Sequence, residues 1–278
     1  MSDKKKVKKK HKKTRLADHA DRHQLYELSV QYAASEIEFV DDTYKAIRGR
    51  KASLLREDFC GTANVCCEWV RQRKSNRAVG VDLDLEVLTW GQENKITELS
   101  AGQRKRITLI EADVLHVDSE PADIISAMNF SYWLFKDRKD LKQYFCRVKD
   151  GLAEDGIFFL DAYGGYDSFR ELEEEREINE GEFTYIWEQE RYDPVTGGLI
   201  CHIHFAFPDD SRMNRAFSYD WRLWTLPEIR DLLEEAGFSK VTIYWQGWDE
   251  DGEPDGNFVP STTGEADAGW ICYISAEK

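Results

Sequence analysis

Four short apolar runs in the first half of this chain each end in a side chain able to bind a polar ligand. Glu57 follows LLR, Asp82 follows AVGV, Asp113 follows TLIEA and Asn129 follows IISAM. Between the first two lies the turn EDFCGTA, with Gly61 and Thr62 at its centre. A strand, a glycine-containing turn and a helix start, followed about twenty residues later by an acid-ended strand, is the layout of an adenosine-binding α/β domain. Gly61 has full φ freedom, so backbone amides can approach a ligand there. The Asp82 carboxylate offers two oxygens at the spacing of two ribose hydroxyls. Asp84, two residues on, reads as the cap of the next helix.

These groups need a sheet to carry them. The pattern predicts strands at 52–55, 77–81, 107–111, 122–128 and 156–162, with helices over 63–73, 85–99 and 138–152. Short apolar runs alternating with helical periods predict a mainly parallel sheet covered on both faces. The rhythm then changes. Aromatic and β-branched residues alternate over 183–192 and 199–207 around the turn DPVTGG, and a third strand is expected at 215–223. In TLPEIRDLLEEAGF, Thr225 is an N-cap and Gly237 a C-cap. Strands at 240–245 and 270–275 follow, with an acidic loop over 249–267 between them. The expected organisation is a basic tail (1–17), a helical cap (18–50) and a main domain (51–278) with an antiparallel insertion at about 181–224.

In this order the chain resembles the class I S-adenosylmethionine-dependent methyltransferases, over about residues 50–278. The resemblance implies an α/β fold: a Rossmann-like, seven-stranded, mostly parallel sheet with an antiparallel last strand, plus the inserted antiparallel element. It implies S-adenosyl-L-methionine as cofactor. The family turn reads G-x-G-x-G after an acidic residue; here Phe59, Gly61 and Ala63 stand at the three glycine positions. By resemblance, Glu57, Phe59, Gly61 and Thr62 meet the methionine end of the cofactor. Asp82, with Leu83 beside it, meets the ribose. Asp113 meets the adenine amine, and the Val114 amide a ring nitrogen. Asn129, in MNFSYWLF, lies where the methyl group meets its acceptor, and Asn129 and Tyr132 are the catalytic candidates. The N-P-P-Y prolines of amino-methylating DNA enzymes are absent from this segment, so that activity is not implied.

For the acceptor, Tyr163, His202 and Arg222 are the substrate-binding candidates, with Tyr166, His204, Tyr219 and Trp224 near them in sequence. His202 and His204 share one strand face but have no evident third ligand, which favours pocket polarity over a metal. Arg222 suits a carboxylate or phosphate. The wealth of aromatics suggests a partly apolar small-molecule pocket. Tyr26 and Gln31, in LYELSVQ, lie where related enzymes fold a helix over the cofactor.

Lys and Arg number 38 against 53 Asp and Glu, a net charge of -15, although residues 4–15 are almost all cationic. The rest of the chain is therefore strongly acidic and a poor surface for a phosphate backbone, leaving the lysine tail as the one plausible contact with nucleic acid. Six cysteines without C-x-x-C spacing argue against a zinc site or a disulfide framework and fit a reducing cytoplasm. No apolar run approaches the roughly 18 residues of a membrane span, and no secretory signal is expected. The sequence thus predicts a cytoplasmic enzyme, with no membrane partner, that methylates nitrogen or oxygen of a small molecule. An enzyme acting on RNA or a ribosomal protein, and a non-catalytic module keeping the fold, are the alternatives.

Overall fold

The apolar runs pair into one eight-stranded sheet. The computed structural model describes residues 14–248 and 254–278, so most of the lysine tail lies outside the described residues. Strands β1 (Leu54–Asp58), β2 (Arg77–Asp82), β3 (Ile107–Glu111), β4 (Ala122–Ala127) and β5 (Leu152–Gly164) are parallel, in the order β3-β2-β1-β4-β5. Beyond β5 the order continues β12 (Trp270–Glu277), β10 (Lys240–Trp248), β11 (Pro254–Ser261). The last strand, β12, runs antiparallel to both of its neighbours.

Neighbouring strand residues face opposite layers, which is why the inner strands read as unbroken apolar runs. Ile124 and Phe159 pack with α2 (Ala33–Arg48), α3 (Asn64–Gln72) and α4 (Leu85–Asn94). Ile125 and Phe158 pack with α6 (Arg138–Gly151) and α7 (Leu226–Glu235). A single turn, α5 (Ala101–Arg104), precedes β3. The expected caps form: Asp84 accepts from the Glu86 and Val87 amides, and Thr225 makes a reciprocal capping box with Glu228. Among the described residues no helix is long and apolar enough to cross a membrane.

The sheet has eight strands where seven were expected. The extra strand, β11, lies in the segment expected to be a loop and pairs antiparallel with β10. Its sequence, PDGNFVPS, has turn chemistry and little alternation, as suits an edge strand paired on one side only. The insertion is also larger than expected. A second sheet, in the order β6 (Leu172–Ile178), β7 (Phe183–Asp193), β8 (Gly198–Ala206), β9 (Arg212–Arg222), begins at Leu172. The missed strand β6 carries Glu173 to Glu177, charged and exposed throughout, so it has no period of 2 to detect. The first helix, α1 (Arg22–Ser29), packs Leu25 into the core of this second sheet.

Beneath the turn that follows β1, Arg56 and Asp58 form a fully buried ion pair, N to O 2.7 Å, and the Tyr144 hydroxyl donates to Asp58. Burial holds the Asp58 carboxyl above its ordinary pKa even beside this guanidinium. Desolvation therefore nearly offsets attraction here, and the pair matters most when one half is missing. Asp58→Leu should cost about 3–5 kcal/mol by urea denaturation, because it strands the Arg56 charge. Arg56→Met combined with Asp58→Leu should cost less than the single change; additive losses would refute this account.

Candidate functional site

The turn between β1 and α3 is built from three left-handed residues: Phe59 (φ 58°), Gly61 (φ 53°) and Ala63 (φ 60°). The backbone of a three-glycine turn is thus kept with one glycine, at a cost of roughly 1–2 kcal/mol for each side chain so placed. Phe59 recovers packing against Phe135 and Tyr144, at ring distances of 6.2 and 5.6 Å. A Cβ built at Gly61 meets nothing within 4 Å, so this position faces open space. By contrast, a Cβ at Gly91 of α4 would lie 2.4 Å from the Thr62 carbonyl oxygen, so α4 packs directly on the turn.

Asp82 closes the turn. One carboxylate oxygen accepts from the Gly61 amide (2.8 Å) and the other from the Asp84 amide (2.9 Å). Each oxygen keeps a lone pair. Phe59, Asp82, Leu83, Asp113 and Val114, five of the expected cofactor residues, line one cleft of about 660 Å³ together with Leu134 and Phe135. Leu83 and Leu134 are exposed apolar walls of it, at 72% and 45%. Asp113 caps its own loop, accepting from the Leu115 amide. Glu57 and Thr62 lie under the turn. Glu57 accepts from the Cys66 amide (3.1 Å), supplying the cap that Ala63 cannot. Thr62 donates to Glu27 (2.6 Å), which also pairs with Lys95 (2.7 Å) and so ties α1 to this edge.

After β4 the chain makes two consecutive left-handed residues, Asn129 and Phe130, both at φ 57°. Their amides donate to the two oxygens of Asp161 at 2.8 and 2.9 Å. This clamp presents Asn129 and Phe130 to a second space, a cavity of about 340 Å³ between the two sheets. Its walls include Tyr26, Tyr163, Tyr185, Trp187, Tyr219, Trp221 and Trp270. Tyr26, the expected lid residue, lines this cavity, as does Tyr219. Gln31 instead accepts from Asn64 at the start of α3.

Of the catalytic and substrate-binding candidates, Tyr132, His202 and Arg222 line neither space. Tyr132 is fully buried and donates to the Asp161 carbonyl, and burial pushes its pKa well up, so it is a packing residue of the clamp. His202 lies on the opposite face of β8 from the cavity-lining Ile203, bonded to Glu190 and Ser218. His204 shares that outer face, bonded to Glu188. Arg222 bridges Glu228 and the Lys136 carbonyl over the Trp224 ring, 3.7 Å from its centre, and is committed to joining β9 with α7. Tyr163 does line the cavity. Among the described residues no group of three or more His, Cys, Asp or Glu side chains is arranged to hold a metal.

Two site residues had gone unread. Asp161 ends the apolar run IFFLD of β5, the same signal that marked Asp82. Glu36 lies on the buried stripe of α2 with Ala33, Ile37 and Val40, an acid where the period calls for an apolar residue. Glu36, Glu57 and Asp161 form one buried acidic group, and none makes an ion pair among the described residues. Burial first, and mutual repulsion next for Glu36, push Glu36 and Glu57 up to about 8 and Asp161 up to about 7.

These shifts fix a sign. The folded chain holds protons on the three carboxyls that the unfolded chain releases near pH 4, so stability falls as pH rises from about 4 to 8. Thermal unfolding of the ligand-free chain should show a higher Tm at pH 5.5 than at pH 8, with Glu36→Gln flattening the slope. A Tm that climbs across this window would contradict the buried acidic group.

No family model and no curated protein matches the chain. Solved structures do. A S-adenosylmethionine-dependent methyltransferase from Clostridium acetobutylicum is 17% identical, with TM-score 0.63, covering 91% of this chain and 96% of its own. An amino pentose methyltransferase from Micromonospora echinaspora, involved in calicheamicin biosynthesis and solved with S-adenosylmethionine bound, is 13% identical (TM-score 0.65; 92% and 96% covered). A sugar N-methyltransferase from Streptoalloteichus is 15% identical (TM-score 0.60; 91% and 92% covered). Nearly the whole chain, second sheet included, therefore has the fold of the S-adenosylmethionine-dependent methyltransferases.

Proposed function

We propose that this protein is a class I S-adenosylmethionine-dependent methyltransferase that places a methyl group on nitrogen or oxygen of a small molecule. One observation carries the reading: a single segment, 129–135, lines both spaces, with Asn129 and Phe130 in the aromatic cavity and Leu134 and Phe135 in the acid-edged cleft. Two ligands seated there meet across that segment.

The residues fit the cofactor. The backbone at Gly61 is open to a ligand, and the free lone pairs of Asp82 suit ribose hydroxyls. Leu83, Leu134 and Val114 give the adenine apolar walls, with Asp113 at the edge. A buried acidic group without a cation complements a ligand bearing sulfonium and ammonium charges. When bound, the cofactor supplies an electrophilic methyl group for in-line displacement. The chain's share is to fix the two partners in line and exclude water. Asp161 does this by holding the segment between them, and the aromatic walls by keeping the acceptor space dry.

The fold neighbours support a small-molecule acceptor, since they include an amino pentose, a sugar N- and a glycopeptide N-methyltransferase. The cavity's size is that of a small ligand rather than a nucleic-acid groove. Six free cysteines, five of them buried, suit a cytoplasmic location.

Calorimetry with S-adenosylmethionine should show binding by the unaltered protein and a loss of about 10- to 100-fold in Asp82→Ala. Methyl-tritiated cofactor incubated with cell extract should label the small-molecule pool. Absence of cofactor binding would remove the enzyme reading; label confined to RNA or protein would replace the acceptor class.

A further inference from the structure

We propose that the acceptor molecule carries a positively charged group remote from the atom that is methylated, and that Glu174 is the specificity residue that holds it. Molecules whose remote end is a phosphate or carboxylate are rejected by the same residue. This rests on the methyltransferase reading above and names the class of its second substrate.

The charge on the walls of the aromatic cavity has one sign. No Lys, Arg or His is among its lining residues, and the two acids that line it are Asp167 and Glu174. Asp167 is paired with Arg170 at 2.7 Å. The Glu174 carboxylate makes no hydrogen bond or ion pair among the described residues. The cation two residues along its strand, Arg176, shares its face but is committed elsewhere. It donates to the Ser29 carbonyl and the Tyr32 hydroxyl and lies over the Tyr185 ring. Arg176 thereby ties β6 to the end of α1 and leaves the acid open.

Strand register places this acid away from the segment where the two ligands meet. Glu174 pairs directly with Trp187 of β7, and Trp187 with Ile203 of β8, all three lining the cavity. Phe130, at the transfer end, lies 6.3 Å from Trp221 of β9 by ring centres. Strands β6 and β9 are the opposite edges of the second sheet, roughly 14 Å apart at the usual strand spacing. The Trp187 and Trp221 rings, 6.3 Å apart, bridge that interval. A group beside Glu174 and an atom beside Phe130 are therefore two different parts of one ligand laid along these rings.

The energetics select the sign of the remote group. Glu174 is solvent-exposed, so water stabilises its charge. A ligand laid over Trp187 removes part of that water and must supply a donor in its place. A cation does so, and it also gains from the faces of Trp187 and Tyr185. Its attraction to the carboxylate strengthens as water leaves. An anion meets an uncompensated acid and ring faces whose own electron density repels it. A neutral apolar end would cover the acid without pairing it.

Tryptophan fluorescence of the full chain tests this, because Trp187, Trp221 and Trp270 line the cavity. Phenyltrimethylammonium should quench saturably and bind more tightly than phenyl phosphate, and Glu174→Gln should weaken the ammonium about 10-fold. Equal or tighter binding of phenyl phosphate, or ammonium binding unchanged in Glu174→Gln, overturns the proposal. With tritiated S-adenosylmethionine, acceptor activity in a small-molecule extract should be retained by a cation exchanger at neutral pH. Activity confined to the flow-through or to an anion exchanger overturns it as well. On the retained fraction Glu174→Gln should raise KM about 10-fold and leave kcat within about twofold, as removal of uniform binding does. A lower kcat at unchanged KM would put Glu174 at the reacting atom and overturn the remote assignment. By calorimetry Glu174→Gln should keep the cofactor affinity of the unaltered protein, since Glu174 does not line the acid-edged cleft. Failure of the unaltered protein to bind cofactor would overturn the underlying function, a distinct result.

Discussion

Three buried carboxyls without a counter-cation set the terms for the upper edge of this sheet. An isolated charge in such a place is costly enough that a chain must hydrogen-bond it, neutralise it or leave it for a ligand. Two of these solutions occur side by side here, hydrogen bonding and an open oxygen. Asp161 is satisfied by two amides, which requires Asn129 and Phe130 to hold left-handed backbone in succession. Glu57 is satisfied by serving as the cap of α3. Glu36 retains an oxygen with no partner. The strained loop, the unusual cap and the open acid are thus parts of one electrostatic arrangement.

The turn after β1 obeys the same economy in its backbone. Its left-handed positions are fixed by what surrounds them: the Gly61 amide on Asp82, the Thr62 carbonyl against Gly91, and Phe59 between aromatic rings. A glycine would adopt these angles freely, whereas Phe59 and Ala63 adopt them because tertiary contacts leave no other choice. Phe59 then does more than fill the position. It is a wall of the cleft, so the residue that departs from the glycine pattern also shapes the ligand space.

Strand ends were legible in the sequence, and faces were not. Glu57, Asp82 and Asp113 stand out because each closes an apolar run, a feature local to a few residues. His202 was misplaced because a strand's period gives two faces without saying which one meets a pocket. Leu199, Cys201, Ile203 and Phe205 form the buried apolar row of β8, and the histidines necessarily lie opposite it. Pocket polarity was sought on the polar face, but the pocket is aromatic and lies on the other. Arg222 finds its acid only six residues away, at Glu228, across a corner that periodicity does not describe. The strands β6 and β11 escaped because edge strands need no apolar alternation. Glu36 was visible as an acid on an apolar helical stripe, but its meaning depends on Asn129 and Asp161, which the chain brings to it only on folding.

The division of the molecule into two sheets also divides its chemistry. The parallel sheet supplies Glu57, Asp82, Asp161 and the amide-rich turns, while the antiparallel sheet supplies half of the aromatic walls. Helix α1 joins them by two different kinds of contact. Toward the second sheet it buries Leu25 and packs Tyr26 on Phe217, an apolar attachment. Toward the cleft it reaches through polar groups, Glu27 to Thr62 and Lys95, and Asp21 to the Trp90 indole. Polar contacts near the surface exchange with water at little net cost, whereas burial of apolar area is lost outright on separation. The seam between α1 and the cleft is therefore the weaker of the two, and α1 belongs mechanically with the aromatic sheet. The same helix that places Tyr26 on the acceptor cavity thus presses, through Glu27, on the turn that faces the cleft, so the two spaces are held in register by side chains two positions or fewer apart along one helix.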